Sequence, residues 1–323
     1  MAIPAGTFKT YEAVGNREDL SDVIYNISPV ETPFVSMAGR SKAKARSHEW
    51  QTDSLAAAAT NQAIEGDDAT NNTATPTVRV NNRTQILTKV VGISGTQDAV
   101  DKAGRKSEMA YQIAKRGKEL KRDLEYALVR NQGSTSGASG SAPTMASVES
   151  WLSTNKTSLG ATVAAATTPG FASTGTVAPT DASVAGTFTK AGLDAIIQAC
   201  WTSGGSPRII MVGPYNKRQL SGFAGIATLY KEVPGMNQGT IVGGADVYVS
   251  DFGEHTVVPN RFSRDQTALV LDMDYWAVAY LRPFAQYPLA KTGDAERRQL
   301  LVEATLESRN EAASGKVTDL LTS

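Results

Sequence analysis

Apolar and polar residues recur with helical spacing in one long stretch of the chain. Between residues 104 and 131, apolar side chains fall at intervals of three and four, and charged side chains fill most other positions. The pattern predicts one helix of about 27 residues, roughly 40 Å long at ~1.5 Å per residue. Gly117 lies inside it at a cost of about 1 kcal/mol relative to alanine. The apolar positions are Met109, Ile113, Leu120, Leu124, Ala127 and Leu128.

Two stretches with strand-like alternation enclose a polar segment. Residues 46–55 form the predicted first strand, with Trp50 at its centre, and residues 78–94 form the second. About twenty residues rich in Ala, Asn, Thr and Asp separate them, a length that is typical of functional or mobile loops. A two-stranded ribbon alone is marginal in water, so we expect residues 46–94 to gain stability from a neighbouring molecule. One face of the second strand is expected to carry Val78, Val80, Ile86 and Val90, and the other Arg79, Asn81, Arg83, Gln85 and Lys89.

Shorter patterns follow the long helix. Residues 145–155 suit a short helix, and residues 157–187, rich in Ala, Thr, Ser and Gly, suit a surface loop. A helical apolar face over 193–201 precedes a buried strand over 208–212. Gly213-Pro214 then starts another helix, since proline suits the first helical position. This succession predicts an α/β unit. Further strands are predicted at residues 245–250, 255–258, 268–272, 275–281 and 299–310.

The first 45 residues have a different character. Prolines at positions 4, 29 and 33 interrupt any long helix, and only Arg17–Ile27 has a short helical pattern. A basic cluster closes this segment, and it fits either a solvated loop or an arm lying along another surface. An arm of this length needs something to pack against to become ordered. The cluster contains Arg40, Lys42, Lys44 and Arg46.

Composition narrows the function classes. The 323 residues include 32 Lys plus Arg and 32 Asp plus Glu, so the formal net charge is zero. A neutral chain argues against a dedicated nucleic-acid binder, although not against a protein that surrounds nucleic acid. The single cysteine, Cys200, excludes an intrachain disulfide. We see no secretory signal over residues 1–20 and no run approaching the roughly 20 apolar residues of a membrane helix.

No residue pattern identifies an active site. His48 and His255 are the only histidines, and neither stands at metal-ligand spacing with Cys200. Asp251-Phe252-Gly253 matches the metal-binding triplet of kinases, but the other kinase motifs are missing, so a turn between two strands is expected. The glycine-rich stretches at 133–140 and 239–244 lack a phosphate-binding ending and suit turns.

A serine acyl-transfer site is the one catalytic alternative. Ser41–Lys44, Ser153–Asn155 and Lys291–Gly293 occur in the order used by penicillin-binding enzymes. That chemistry needs the serine at the start of a helix, with the lysine one turn later. The segment containing Ser41 leads instead into a predicted strand, so a chance match is the preferred interpretation.

The order of the parts resembles a known architecture. Arm, long polar hairpin, long helix, α/β unit and returning strand occur in the order of the Hong Kong 97-type fold of tailed-phage and herpesvirus shells. Individual segments resemble one subfamily of phage capsid proteins. They are Asn26–Phe34, His48–Asp53, Asp246–Phe262, Asp274–Phe284, Lys291–Asp294 and Leu306–Ala312.

This resemblance implies an α+β fold with five parts. Residues 1–45 would be the N-terminal arm, 46–94 the extended β-hairpin loop, and 95–134 the spine helix with part of the peripheral domain. Residues 135–281 would be the α/β axial domain, and 282–323 the return to the peripheral domain. The family needs no cofactor. One branch links subunits through a Lys–Asn isopeptide bond, but no residue here maps onto that pair.

The function implied is that of a structural major capsid protein. It would self-assemble into hexamers and pentamers of an icosahedral or prolate shell around phage double-stranded DNA, in the host cytoplasm and then in the virion. Portal, scaffolding and decoration proteins are expected partners, and no membrane is involved. A host-encoded, cargo-enclosing nanocompartment of the same fold is the alternative, beside the serine enzyme. The expected contacts between subunits involve Trp50, Arg79, Arg83, Lys89, Arg40 and Lys44.

Overall fold

A computed structural model describes residues 31–66, 68, 71, 73–100, 104, 106–160, 177–223 and 246–322. The helices are α1 (Pro33–Met37), α2 (Gly95–Ala99), α3 (Glu108–Val129), α4 (Val148–Trp151), α5 (Lys190–Thr202) and α6 (Pro214–Ser221). The strands are β1 (Gly39–Lys42), β2 (Ser47–Thr52), β3 (Val78–Arg83), β4 (Gln85–Ser94), β5 (Lys156–Ser158), β6 (Ile209–Val212), β7 (Val247–Ser250), β8 (Gly253–Pro259), β9 (Ala268–Leu271), β10 (Trp276–Pro288), β11 (Ala295–Ser308) and β12 (Gly315–Thr318).

The predicted long helix is confirmed as α3, with shorter ends. The hydroxyl of Ser107 accepts a hydrogen bond from the backbone N–H of Ala110 at 3.3 Å, and this cap fixes the first turn. Leu120, Leu124 and Leu128 are fully buried, as their spacing predicts. Gly117 has open space around it, so no close approach requires a glycine there.

A four-stranded sheet lies against α3, with the order β1-β10-β11-β4. β10 and β11 form a long antiparallel hairpin, and β1 joins the outer edge of β10 in parallel. The sequence pattern predicts only residues 275–281 of β10, because Pro283 interrupts the alternation. The register shifts between Tyr280 and Arg282 and again between Arg282 and Ala285, the interval that contains the proline, and an irregularity of this kind tolerates the missing N–H.

The predicted second strand of the hairpin, residues 78–94, is two strands. β3 pairs with β2, whereas β4 pairs with β11 in the four-stranded sheet. Thr84 separates them, with its N–H bonded to the carbonyl of Arg46 at 2.9 Å and its hydroxyl to Glu303 at 2.8 Å. Beyond this break the alternation changes face.

The predicted apolar face is therefore wrong after Thr84. Val80 is buried in the core, but Ile86 and Val90 are 45% and 46% exposed. The alternate residues, Leu87 and Val91, turn toward the core and α3 instead. A slip of one residue moves every following side chain to the opposite face, and an unrecognised break has the same effect.

The α/β unit contains a six-stranded sheet of order β5-β12-β9-β6-β8-β7. α5 and α6 cover one face, with Ile197 and Leu220 packed in the same core as Ile210. The other face of this sheet contributes Met211 and Leu271 to a second core, which also contains the buried residues of α3. The predicted strands at 208–212, 245–250, 255–258 and 268–272 correspond to β6, β7, β8 and β9.

One buried side chain of the α/β unit is relevant below. Cys200 is fully buried on α5, where the side-chain amide of Asn155 lies 3.7 Å from its sulfur. The predicted helix at Arg17–Ile27, the glycine-rich stretch at 239–244 and most of the predicted loop at 157–187 lie outside the described residues.

Candidate assembly surface

The hairpin of β2 and β3 consists of a root attached to the body of the chain and an exposed tip. We define the root as residues 47–52 with 78–84, and the tip as residues 53–77. Trp50 anchors the root: its ring centroid lies 5.3 Å from that of Trp151, and its indole N–H donates to the carbonyl of Ser308 at 2.7 Å. Trp151 is itself fully buried in the core. The root is thus fixed to the body of its own chain, so the expectation that residues 46–94 gain their stability from a neighbouring molecule is wrong for this part.

A buried amide fastens the other strand of the root. Asn82 has no exposed surface, and its side-chain N–H groups donate to the carbonyls of Ala146 at 3.2 Å and Leu306 at 2.8 Å. Its side-chain oxygen accepts from the backbone N–H of Ala146 at 2.9 Å. All these hydrogen bonds of the side-chain amide lie inside the core, where an unpaired polar group costs about 1–3 kcal/mol. The alternating pattern alone gave no indication of this role.

A carboxylate network holds the root against the four-stranded sheet. Glu307 on β11 accepts hydrogen bonds from the hydroxyl of Ser41 at 2.6 Å and the guanidinium of Arg309 at 3.1 Å, and it pairs with His48 on β2 at 3.1 Å. The hydrogen bond with His48 is the largest cause that lowers the pKa of Glu307, to about 2, with Ser41 and Arg309 contributing and burial opposing. The charged carboxylate is therefore the stable form near neutral pH.

The tip has the opposite character. Every described residue from 53 to 77 is exposed, and Leu55 and Ile64 are 97% and 79% accessible. The tip contains four acidic residues and no lysine or arginine. An open cleft of about 840 Å³ lies between the start of the tip and the body. Single exposed apolar side chains are common on protein surfaces, but these two leave nearly all of their apolar surface available to another molecule.

A second network, missed by sequence analysis, fixes the segment before β1. Glu125 of α3 is fully buried, and its two carboxylate oxygens accept the backbone N–H groups of Phe34 and Val35, each at 2.8 Å. Asn260 donates to the same carboxylate at 2.7 Å. Burial raises the pKa of Glu125, while these hydrogen bonds oppose that rise. The one signal in the sequence was the position of Glu125, an acidic residue directly after Leu124 on a helix that buries its leucines.

The residues expected at contacts between subunits occupy different environments. Trp50 is half-buried against its own chain, and Lys89 pairs with Asp123 of α3 at 2.8 Å. Arg79 pairs with Glu49 across the root. Arg83 is half-exposed; Arg40 and Lys44 are exposed. No neighbouring copy is present to test these contacts, so they stay predictions.

The catalytic alternatives do not form sites. Ser41 lies on a strand and pairs with Ala279, whereas Lys291 follows the far end of β10, roughly 30 Å away at about 3.3 Å per residue. Asp251-Phe252-Gly253 spans the turn between β7 and β8, as predicted, with Gly253 at φ +133°. Within the described residues, no group of His, Cys, Asp and Glu side chains is arranged to hold a metal ion.

The two histidines have local structural partners. Nδ1 of His255 lies 2.7 Å from the carbonyl of Pro207, and Nε2 lies 2.7 Å from the hydroxyl of Ser250. Burial lowers the pKa of His255, so the neutral ring is favoured. His48 belongs to the root network.

Of the helices described, none combines the length and the apolarity needed to cross a lipid bilayer.

Comparisons with solved structures agree with this architecture. The Cyanophage A-1(L) capsid asymmetric unit matches 97% of this chain and 99% of its own, with a TM-score of 0.63 and 13% identity. The capsid of a native GTA particle matches 97% and 98%, with a TM-score of 0.62 and 12% identity. A Gordonia phage Cozz chain matches 99% and 98%, with a TM-score of 0.57 and 13% identity. The shared fold is the predicted Hong Kong 97-type fold.

Sequence comparison identifies the family. The major capsid protein of Escherichia phage Phieco32 is 42% identical over 129 residues, which are 40% of this chain and 37% of that protein. The match therefore spans little more than a third of that relative's length. A family model described as SU10 major capsid protein matches residues 4–321, nearly the whole chain. By that match, the chain belongs to the SU10 major capsid protein family.

Proposed function

We propose that this chain is a structural subunit that self-assembles into the hexamers and pentamers of an icosahedral or prolate phage shell enclosing double-stranded DNA. The exposed loop tip carries this proposal, because its apolar residues Leu55 and Ile64 have no cover from the described part of their own chain. The family is one of capsid proteins, and the solved neighbours include assembled capsids.

The two parts of the loop have separate tasks in this proposal. The root, held by Trp50, Asn82 and Glu307, sets the direction in which the loop leaves the body. The tip supplies the contact with an adjacent copy and tolerates the small angular differences between hexamers and pentamers. Many modest contacts then sum to a stable shell, because each is repeated around the particle.

Contacts beyond the tip are proposed on the exposed basic residues. Arg40 and Lys44 are exposed beside the root, and Arg79 and Arg83 follow the tip on β3. In this proposal, basic side chains of this kind would attract the acidic tip of a neighbouring copy. Trp50 and Lys89 would act indirectly, by fixing the root and the sheet on which the contact is built.

The remaining parts of the proposal concern other partners. The subunit would assemble in the host cytoplasm, next to a portal and with scaffolding or decoration proteins, and would carry out no catalysis. A nanocompartment enclosing an enzyme is less favoured, since the family is one of phage capsid proteins.

Deletion of residues 56–77 tests the role of the tip. The variant should remain folded, because described residues 56–66 and 73–76 make no hydrogen bond to the body of the chain, and it should form no shells. A matched control replaces Ala56–Ala59 with serine and keeps the loop length. Circular dichroism checks the fold, and negative-stain microscopy counts shells. Normal particles from the deletion variant would overturn the proposed role.

A further inference from the structure

The long helix α3 has a basic face exposed to solvent. We define it as Lys115, Lys118, Lys121 and Arg122; the three lysines are exposed and the arginine is half-exposed. Positions 115, 118 and 122 have the i, i+3, i+7 spacing that places side chains on one side of a helix. In the part of the chain that the structure describes, neither Lys115 nor Lys118 has an ion-pair partner.

The acidic residues near this face are occupied elsewhere. Glu119 pairs with Arg116 at 2.6 Å, and Asp123 pairs with Lys89 of β4 at 2.8 Å. Glu125 is fully buried, where it holds the backbone before β1. The basic face therefore has a local excess of positive charge, although the whole chain has a net charge of zero.

The two sides of this layer differ in chemistry. α3 covers the face of the sheet from which Lys89 reaches Asp123, so the basic face lies on the helix side. On the opposite side, β4 presents the exposed residues Ile86 and Val90, and the neighbouring strand β11 adds the exposed Arg297, which pairs with Gly92. The helix side thus carries several basic side chains close together, as a polyanion requires, whereas the other side mixes apolar residues with isolated charges. The wall of a shell has a similar asymmetry, because its inner surface faces the enclosed DNA and its outer surface does not.

We propose that the basic face of α3 contacts the phosphate backbone of packaged duplex DNA, which places the helix side of the subunit on the inner surface of the wall. This inference rests on the proposed shell function. Lysine side chains that contact only phosphate groups, and not the edges of the bases, bind DNA without regard to its base sequence. Such contacts are weak and dispersed, which suits DNA that must later leave the shell.

Charge density favours DNA over the acidic tip of a second copy. From Lys115 to Arg122 the face extends about 10 Å, at ~1.5 Å per residue. A duplex carries one negative charge per ~1.7 Å, so about six phosphate charges lie along that length. The tip has four carboxylates spread over residues 53–77. The duplex is therefore the denser and more regular counter-charge.

The test measures the salt dependence of DNA binding by the full chain. The test variant is Lys115→Gln/Lys118→Gln/Lys121→Gln, in which glutamine keeps the helix propensity. The matched control is Lys156→Gln/Lys190→Gln/Lys291→Gln, which removes three exposed lysines from other elements. Fluorescence anisotropy follows two unrelated duplexes of about 30 base pairs. A plot of the logarithm of the DNA-binding constant against the logarithm of the salt concentration has a negative slope. Each lost phosphate contact reduces the magnitude of that slope by about 0.9.

We expect the magnitude of the slope to decrease by about 2–3 in the test variant and to keep the wild-type value in the control, for both duplexes. Equal slopes in the two variants would overturn the inference. So would a test variant that keeps the wild-type slope but forms no shells, because its face would then contact another copy. A wild-type chain that forms no shells yet loses DNA binding with these lysines would sink the shell function and support the phosphate contact.

Discussion

Replacing Glu307 with glutamine should weaken the attachment of the loop root in a pH-dependent manner. The carboxylate gathers a histidine, a hydroxyl and a guanidinium from three different segments. Its pKa of about 2 lies well below the 4.5 that is ordinary for a glutamate. A lowering of this size corresponds to roughly 3 kcal/mol of stabilisation of the charged form, at about 1.36 kcal/mol for each tenfold change in acidity. Glutamine keeps the shape but not the charge, so Glu307→Gln should cost about 2–3 kcal/mol near neutral pH.

The direction of the pH dependence follows from the lowered pKa. An acid that titrates lower in the folded state than in the unfolded state stabilises the fold above its unfolded pKa, near 4.5. This contribution declines as the pH falls from about 5 and is lost at about 2. The difference in unfolding free energy between wild type and Glu307→Gln should therefore shrink over that interval.

Urea unfolding of the unassembled subunit, followed by tryptophan fluorescence, measures this difference at pH 7 and again near pH 3. Trp50 lies within the same root, so the signal reports on the perturbed region. The control is Glu296→Gln, an exposed acid on the same strand, whose effect should stay under about 0.5 kcal/mol. If Glu307→Gln costs the same at both pH values, the charged network is not the source of the stabilisation.

Three further outcomes can be measured by the same unfolding method. Burial lowers the pKa of Lys316 to about 8, so between pH 8 and 10.5 the unfolded state binds more protons than the folded state. The unfolding free energy of the wild type should therefore increase, relative to that of Lys316→Met, as the pH rises through this interval. Gly117→Ala should stabilise by about 0.5–1 kcal/mol, since the site is open and helical, whereas Gly186→Ala should destabilise by about 1–3 kcal/mol, because its Cβ would overlap the carbonyl of Leu159. Trp50→Phe should cost about 1 kcal/mol through the lost indole hydrogen bond, and an unchanged midpoint would contradict that assignment.

The sequence predicts those elements whose apolar spacing is unbroken. α3 and strands β6 to β9 are of this kind, because a buried face imposes a period that can be read directly. The predicted strand over 78–94 failed at Thr84, a residue compatible with a strand interior. Its break is imposed by the carbonyl of Arg46 and by Glu303, both distant in sequence, and local alternation contains no information about such partners.

The candidate site was predicted less completely than the fold. The sequence identifies the tip as a polar stretch between two strands, and its described residues are all exposed. The fixing of the root was not foreseen, because Asn82 and Glu307 are polar residues in a strand pattern and polar residues are expected on the solvent side. Their burial depends on tertiary partners that become visible only in three dimensions.

Cys200 has a practical consequence for any particle that the chain forms. Burial raises the pKa of its thiol to about 12, so on the order of one molecule in 100,000 carries the reactive thiolate at pH 7. Since it is the chain's only sulfur able to form a disulfide, released shells should age in air without oxidative cross-links between subunits. The native protein also serves as a silent background, into which one engineered cysteine at a time can be introduced and labelled with a dye.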